Sequence, residues 1–274
     1  MIDWYTICPS NDIVQLEVGC ISMARPLPNK PLVEAIFEFR WQIVSEEGDT
    51  HYPLFVGRLY DRVQTQYRFH EPLPTSLIPL PAAGNIVQHR FRAERDRWPL
   101  VQVGPGIVTI NDTEGYIWPD FGGRAKTLVK AIYEAYPEPS QLRVAGLILR
   151  YLDAFELDDD QDMLDYLSGK LKSKMIFPHQ LFEGTAVSPH PRTLNITAAF
   201  PGQKPRGTII IGFRSGKHND KPALIMETAM RSDGSELPGM PQGFEEWIEE
   251  AHGLTDDWFF KLIEGELERE FSGE

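Results

Sequence analysis

The densest run of chemically active side chains is His89-Arg-Phe-Arg-Ala-Glu-Arg-Asp-Arg-Trp98. On an extended strand, Arg90, Arg92, Glu94 and Asp96 face one way, and His89, Phe91, Ala93, Arg95 and Arg97 the other. Arginines interleaved with aromatics on an antiparallel sheet suit single-stranded nucleic acid, through phosphate contacts and base stacking. Arg90, Phe91, Arg92, Arg95 and Arg97 would be the contacts. Glu94 and Asp96 favour a plainer expectation, a solvated strand whose charges pair among themselves.

A second constellation lies on the C-terminal segment. Glu249, His252 and Asp256 are spaced three and four apart, so on a helix they share a face. Such a set could hold a cation or move a proton; surface electrostatics is the simpler expectation. A small-ligand enzyme would have to gather separated groups, such as Asp112, Arg150 and His252. Trp258 and Phe260 give the same segment an aromatic surface that could meet a partner.

Other motifs point to structure rather than chemistry. Gly104-Pro-Gly106 lacks the amides and the lysine spacing of a phosphate loop and reads as a tight bend. Gly122-Gly123 could receive a small anion at a helix start. Asn111-Asp112-Thr113 reads as a turn that satisfies its own amides. Asp158-Asp-Asp160 lacks the glycine and closing glutamate of a calcium loop, and suits the start of a helix near Met163. Ser188-Pro-His190 has no third catalytic member and no nucleophile elbow. The seven histidines and two cysteines show no metal-ligand spacing, so neither a metal nor a cofactor is expected.

Periodicity supplies the elements that would position these residues. Val33 to Trp41 alternates as a strand, and Tyr52 to Tyr67 carries a helical stripe of Leu54, Leu59, Val63 and Tyr67. Strands are predicted over 86–98, 101–110 and 116–118, and a helix over 121–136, stopped by Pro137 and Pro139. Leu142 to Phe155 is apolar on both faces and reads as a central strand. A short helix over 163–175 follows, then three antiparallel strands over 194–200, 207–213 and 223–230. A long helix over 244–270, with an interruption near Gly253, closes the chain.

This order predicts an α+β protein with antiparallel sheets flanked by helices. Through residue 155 it is strand, helix, strand, strand, helix, strand, a split unit of the ferredoxin-like kind. Two such related lobes, 23–155 and 156–274, are expected, with one continuous sheet as the alternative. Residues 1–22 read as an extension or arm.

Composition narrows the functions. The chain has 274 residues and a formal net charge of -13. The acidity is uneven: residues 1–150 carry 15 basic and 17 acidic groups, and residues 151–274 carry 12 and 23. A general basic coat for nucleic acid is therefore absent, although a strip on the first lobe is allowed. Two cysteines, both within the first 20 residues, argue against a disulfide framework and for a reducing cytoplasm. No apolar run has the length of a membrane span.

Pro31-Leu-Val-Glu-Ala-Ile-Phe-Glu-Phe-Arg40 resembles the opening strand of an uncharacterised, sporadically distributed bacterial protein family. Val101-Gln-Val-Gly-Pro-Gly-Ile-Val-Thr-Ile-Asn-Asp-Thr113, followed by Tyr116-Ile-Trp118, is similar to that family's central signature. The tail from Trp247 through His252 to Trp258-Phe259 is similar to its closing helix. The resemblance spans about residues 27–268. It implies a bacterial cytoplasmic protein of unknown function, from accessory or defence-type genes, and carries no catalytic residue with it.

Three functions follow. The favoured one is a non-catalytic accessory, scaffold or partner-binding protein, with self-association included. The alternatives are a single-stranded nucleic-acid binder using the strand from Arg90 to Arg97, and a small-ligand enzyme.

Overall fold

A computed structural model describes residues 27–274, apart from positions 44, 47, 114, 159 and 160. The expected arm over residues 1–22 lies outside the described residues, as do both cysteines.

The first strand, β1 (Leu32–Trp41), follows its alternation: Ala35, Phe37, Phe39 and Trp41 are all buried on one face. Helix α1 (Tyr52–Val63) starts on Pro53, whose missing N–H costs nothing at that position. Its inward stripe is Tyr52, Phe55, Val56, Leu59 and Val63. Leu54 points outward instead, because it falls off the three-four spacing that Phe55 and Leu59 follow.

The proline-rich stretch after α1 contains the short strand β2 (Phe69–Pro72), a single-turn 3-10 helix and the one-turn helix α2 (Leu80–Ala83). The strand expected over 86–98 is only β3 (His89–Arg92). Asp96 has a φ of 57°, a left-handed backbone that cannot continue a strand. Next come β4 (Leu100–Gly104) and β5 (Ile107–Asp112), joined at Pro105-Gly106. Gly106 has a φ of 74°, and a Cβ on Gly104 would lie 2.2 Å from the Ile86 carbonyl. The glycines therefore make a bend and a close backbone approach, with no phosphate cradle required.

Residues 116–118 form no strand. Trp118 instead opens α3 (Trp118–Ala135), with Pro119 in its first turn and Asp120 at its positive end. Gly122 is helical, and its missing side chain admits the Trp118 ring: a Cβ there would stand 3.1 Å from it.

Strand β6 (Val144–Glu156) leads to α4 (Met163–Gly169). Asp162 caps α4, accepting from the Leu164 and Asp165 amides; Asp159 and Asp160 of the expected run lie outside the described residues. The remaining strands are longer than predicted: β7 (Asn195–Gln203), β8 (Arg206–His218) and β9 (Lys221–Asp233). The β8–β9 hairpin closes on Asn219 and Asp220, both left-handed, as a tight two-residue turn demands. Helix α5 (Phe244–Ile263) passes through Gly253 without interruption. The break falls at Gly265, whose φ is 109°, before α6 (Glu266–Ser272).

The nine strands among the described residues belong to one antiparallel sheet, in the order β2-β3-β4-β5-β1-β6-β9-β8-β7. The sheet crosses residue 155 without a gap, because β6 pairs with β1 on one side and β9 on the other. The helices pack on one face. A first core, around Phe37, Phe39, Leu149 and Met230, receives α1, α3 and α5. A second, around Phe155, Phe213, Leu224 and Met226, receives α4 and α6. Trp247 fastens α5 to the sheet: its Nε1 donates to Ser232 Oγ at 2.8 Å, and Ser232 donates in turn to the Arg206 carbonyl.

Phe37 joins the central strand to α5, with ring centroids 5.1 Å from Phe244 and 6.4 Å from Trp247. Phe37→Ala is expected to cost about 3–5 kcal/mol, the usual loss for a deleted core aromatic. Urea unfolding checks this; a loss below about 1 kcal/mol would show that the sheet–helix junction lies elsewhere.

Candidate functional site

The first polar constellation lies between the two cores. On the helix-covered face of β6, Tyr151 follows Leu149, and Asp153 precedes Phe155. Ala35 of β1 is flanked in register by Asp112 of β5 and Tyr151 of β6, so these two side chains share that face. Helix α5 lays His252 over them. Tyr116 donates to the Tyr151 hydroxyl at 3.0 Å, and that hydroxyl meets His252 Nδ1 at 3.1 Å. Since Tyr151 already accepts from Tyr116, its own proton goes to the imidazole, which is held neutral.

The other side of His252 stacks on Trp118, with centroids 3.7 Å apart and planes 16° from parallel. Trp118 Nε1 donates to Glu249 Oε2 at 3.1 Å, and Lys126 Nζ to Glu249 Oε1 at 2.6 Å. Glu249 therefore pins α5 to α3. Of the expected group of Glu249, His252 and Asp256, Glu249 and His252 lie close enough to act on each other's charge, and both also reach across to other elements. Lys30 donates to the Tyr116 carbonyl and closes the seam at the foot of β1.

Burial sets the protonation of this seam. It pushes the Asp153 carboxyl up to about 7; Asp153 has no hydrogen-bond partner among the described residues. It pulls the His252 imidazole down to about 4, against the opposing pull of Glu249. Burial also raises Asp112, although the Thr113 amide and Arg124 oppose it. Both tyrosines are driven above their ordinary range by burial. Asp112 and His252 thus come together around Tyr151, but Arg150 points to the opposite face. Two shallow hollows, of about 320 and 210 Å³, lie elsewhere, and neither is lined by Asp112, Tyr151 or His252. Among the described residues no group of three histidine, cysteine or acidic side chains is placed to hold a metal.

The second face of the sheet carries no described helix. It bears a hydrogen-bonded chain across four strands: Arg90 to Gln102 at 3.1 Å, Gln102 to Asn111 at 3.1 Å, and Asn111 to Glu34 at 2.8 Å. Beyond it, Arg40 donates to Glu38 at 2.9 Å. Arg150 lies 3.5 Å from Glu38, and its Nε is 3.0 Å from Glu227 without hydrogen-bond alignment.

The basic segment splits between these surroundings. Arg90 and Arg92 project on the second face, whereas Phe91 is fully buried beneath α1 on the other. Arg92 pairs with Glu71 at 3.0 Å, Arg97 with Glu94 at 3.6 Å, and Arg95 lies over the Phe69 ring. The arginines are thus spoken for within the chain, and Phe91 offers no ring to a base. His190 Nδ1 meets Asp162 at 2.9 Å on the exposed surface, apart from any nucleophile arrangement.

The sheet's two edges differ. The β2 edge is four residues long, carries Glu71 and ends in Pro72, features that discourage further pairing. The β7 edge runs nine residues, Asn-Ile-Thr-Ala-Ala-Phe-Pro-Gly-Gln, without one charge. Its outer side pairs with no described strand. Phe200 on β7 is 46% exposed and meets half-buried Trp258 edge to face at 5.6 Å. The segment leading to β7 exposes Ile176, Phe177, Leu181 and Val187. Trp258 therefore borders this edge, whereas Phe260 packs toward the second core. Alternation could reveal β7 as a strand, and Pro201, which cannot donate to a ladder, suits it to an edge; the pairing order makes it the last described strand.

No family model matches the chain, and no curated protein matches it.

The Asp153–His252 pair makes a pH prediction. A raised carboxyl gives stability that is full below the unfolded value and is lost as pH rises toward about 7. A lowered imidazole gives stability that is lost as pH falls from its unfolded value toward about 4. Over the shared window the two slopes oppose each other. Relative to the parent protein, Asp153→Asn should therefore make stability rise with pH across that window, and His252→Gln should make it fall. Each slope approaches about 1.4 kcal/mol per pH unit. Denaturant midpoints at a series of pH values test this; parallel profiles for all three proteins would refute it.

Proposed function

We propose that this chain is a non-catalytic partner-binding protein that works through its sheet. The observation that carries the reading is the uncharged nine-residue edge of β7, bordered by Phe200 and Trp258. An unpaired edge offers a row of backbone donors and acceptors that another strand satisfies best. Pro201 withholds one donor near the Gln203 end, but Asn195 to Phe200 carries neither charge nor proline, and such an edge is hazardous unless something occupies it. Half of the large apolar side chains that the described surface exposes fall between residues 176 and 200, in the segment leading to β7 and in β7 itself. The shared row of β4, β5, β1 and β6, with α1 and α3 on one face, supports a ferredoxin-like first half serving as a rigid base. The resemblance to an uncharacterised bacterial family accords with an accessory role in the cytoplasm.

The alternatives draw less support. Nucleic-acid binding would have to do without Phe91 and with arginines already engaged by Glu71, Glu94 and Gln102. An enzyme would need a pocket at the seam around Tyr151, and neither of the two hollows is lined by Asp112, Tyr151 or His252.

The test is a pair of charges on the edge. Thr197→Lys with Ala199→Lys changes two exposed positions on β7 and should alter stability by less than about 0.5 kcal/mol. The parent protein, expressed in cells and analysed by native mass spectrometry, should carry a stoichiometric partner or a second copy. The double variant should lose about tenfold of that occupancy. A parent protein that remains bare, or one whose complex is indifferent to both lysines, would rule the reading out.

A further inference from the structure

The surroundings of β7 are polar in the directional sense, and this bears on what the edge accepts. At the Asn195 end, Arg214 is the cross-strand partner of Asn195. Arg192 lies three residues before β7, and Lys217 three residues beyond Arg214. All three are exposed, and none has an ion-pair or hydrogen-bond partner among the described residues. They stand out in a half of the chain that carries 12 basic and 23 acidic groups.

At the Gln203 end Arg206, the cross-strand partner of Gln203, is likewise exposed and without a side-chain partner among the described residues, but acidic groups offset the charge there. Lys204 is already neutralised by Glu250 at 2.9 Å, and Glu246 adds a further negative charge nearby. The Asn195 end thus gathers three cations without a partner among the described residues, whereas the Gln203 end sets Lys204 and Arg206 against Glu246 and Glu250.

The geometry points to an extended peptide segment that adds to β7 in the antiparallel sense, with a carboxylate, that of a C-terminus or a terminal acidic residue, seated beside Arg214. This inference rests on the partner-binding reading and names the partner's chemistry. An antiparallel strand beside β7 ends next to Asn195, where Arg192, Arg214 and Lys217 gather without an ion-pair partner among the described residues. A parallel strand would end next to Gln203, where Glu246 and Glu250 offset Lys204 and Arg206, and would bring its amino end to the three cations. Backbone pairing supplies the affinity, and the side chains add a pattern. The helix-side positions Ile196, Ala198 and Phe200 favour apolar residues opposite them, and Thr197 and Ala199 on the other face favour small or polar ones. A second copy is a poorer fit, because β7 carries no carboxylate of its own and two strongly acidic halves would repel.

The probe is a heptapeptide of alternating threonine and valine, made with a free C-terminal carboxylate and, separately, with a C-terminal amide. Binding to the full chain is read by fluorescence anisotropy, and its place by backbone amide shifts. The free acid should bind about fivefold more tightly than the amide, the scale of exposed charge pairs. Arg214→Gln should lower the affinity for the acid by the same factor and abolish the difference between the peptides. A nitroxide near the peptide's C-terminus should broaden amides around Asn195, not Gln203. Equal binding of acid and amide, with shifts along β7, would overturn the carboxylate proposal and leave the edge reading standing. Binding with no shift on β7, or none up to millimolar peptide, would overturn both.

Discussion

The structure depends on one strand, β6, pairing on both sides. Its hydrogen bonds to β1 and to β9 weld the two halves of the chain into one sheet. Its helix-covered face serves both cores in turn: Leu147 and Leu149 belong to the first, and Phe155 to the second. Between them the strand must cross the boundary, and there it carries Tyr151 and Asp153. A polar seam at that point costs less than the same groups would inside either core, because each core closes on its own side of it. The seam also registers α5, an element of the second half, against the first half through His252.

That the described helices cover one face has two consequences. The helix-covered face holds the aromatic core, so its polar atoms must be paired locally, as Trp247 is with Ser232. The second face is free to be polar, and neighbouring strands there share acids, amides and arginines in an extended network. That network absorbs Arg90 and Arg150, the cations that a sequence reader would first assign to a ligand.

Much of the fold was legible. Strands β1, β4, β5 and β6 and helices α1, α3 and α5 announce themselves through alternation or three-four spacing, and their cores follow. The errors have physical causes. Residues 93–98 alternate like a strand, but Asp96 turns the backbone left-handed. Tyr116 to Trp118 has strand-like residues, yet Pro119 and Asp120 make a better helix start. Gly253 was expected to break the last helix; a glycine can remain helical when its neighbours are well packed, and Gly265 breaks the helix instead because only there is φ positive. Of the candidate site, the pairing of His252 with Tyr151 was invisible, since the two lie 101 residues apart.

By itself the sequence determined the composition of each element: which face of a strand is apolar, where a helix begins, and how charge divides between the halves. These are local properties, set by side-chain period and backbone preference. The tertiary structure alone decided the order of strands, and with it which strand is terminal, which cations find partners and which carboxyl is buried without one. Those outcomes depend on contacts between residues far apart in the chain. Pro201 suits Asn195 to Gln203 to an edge, but nothing in that segment states which strand it pairs with, and nothing in Asp153 states that it will lie between two cores.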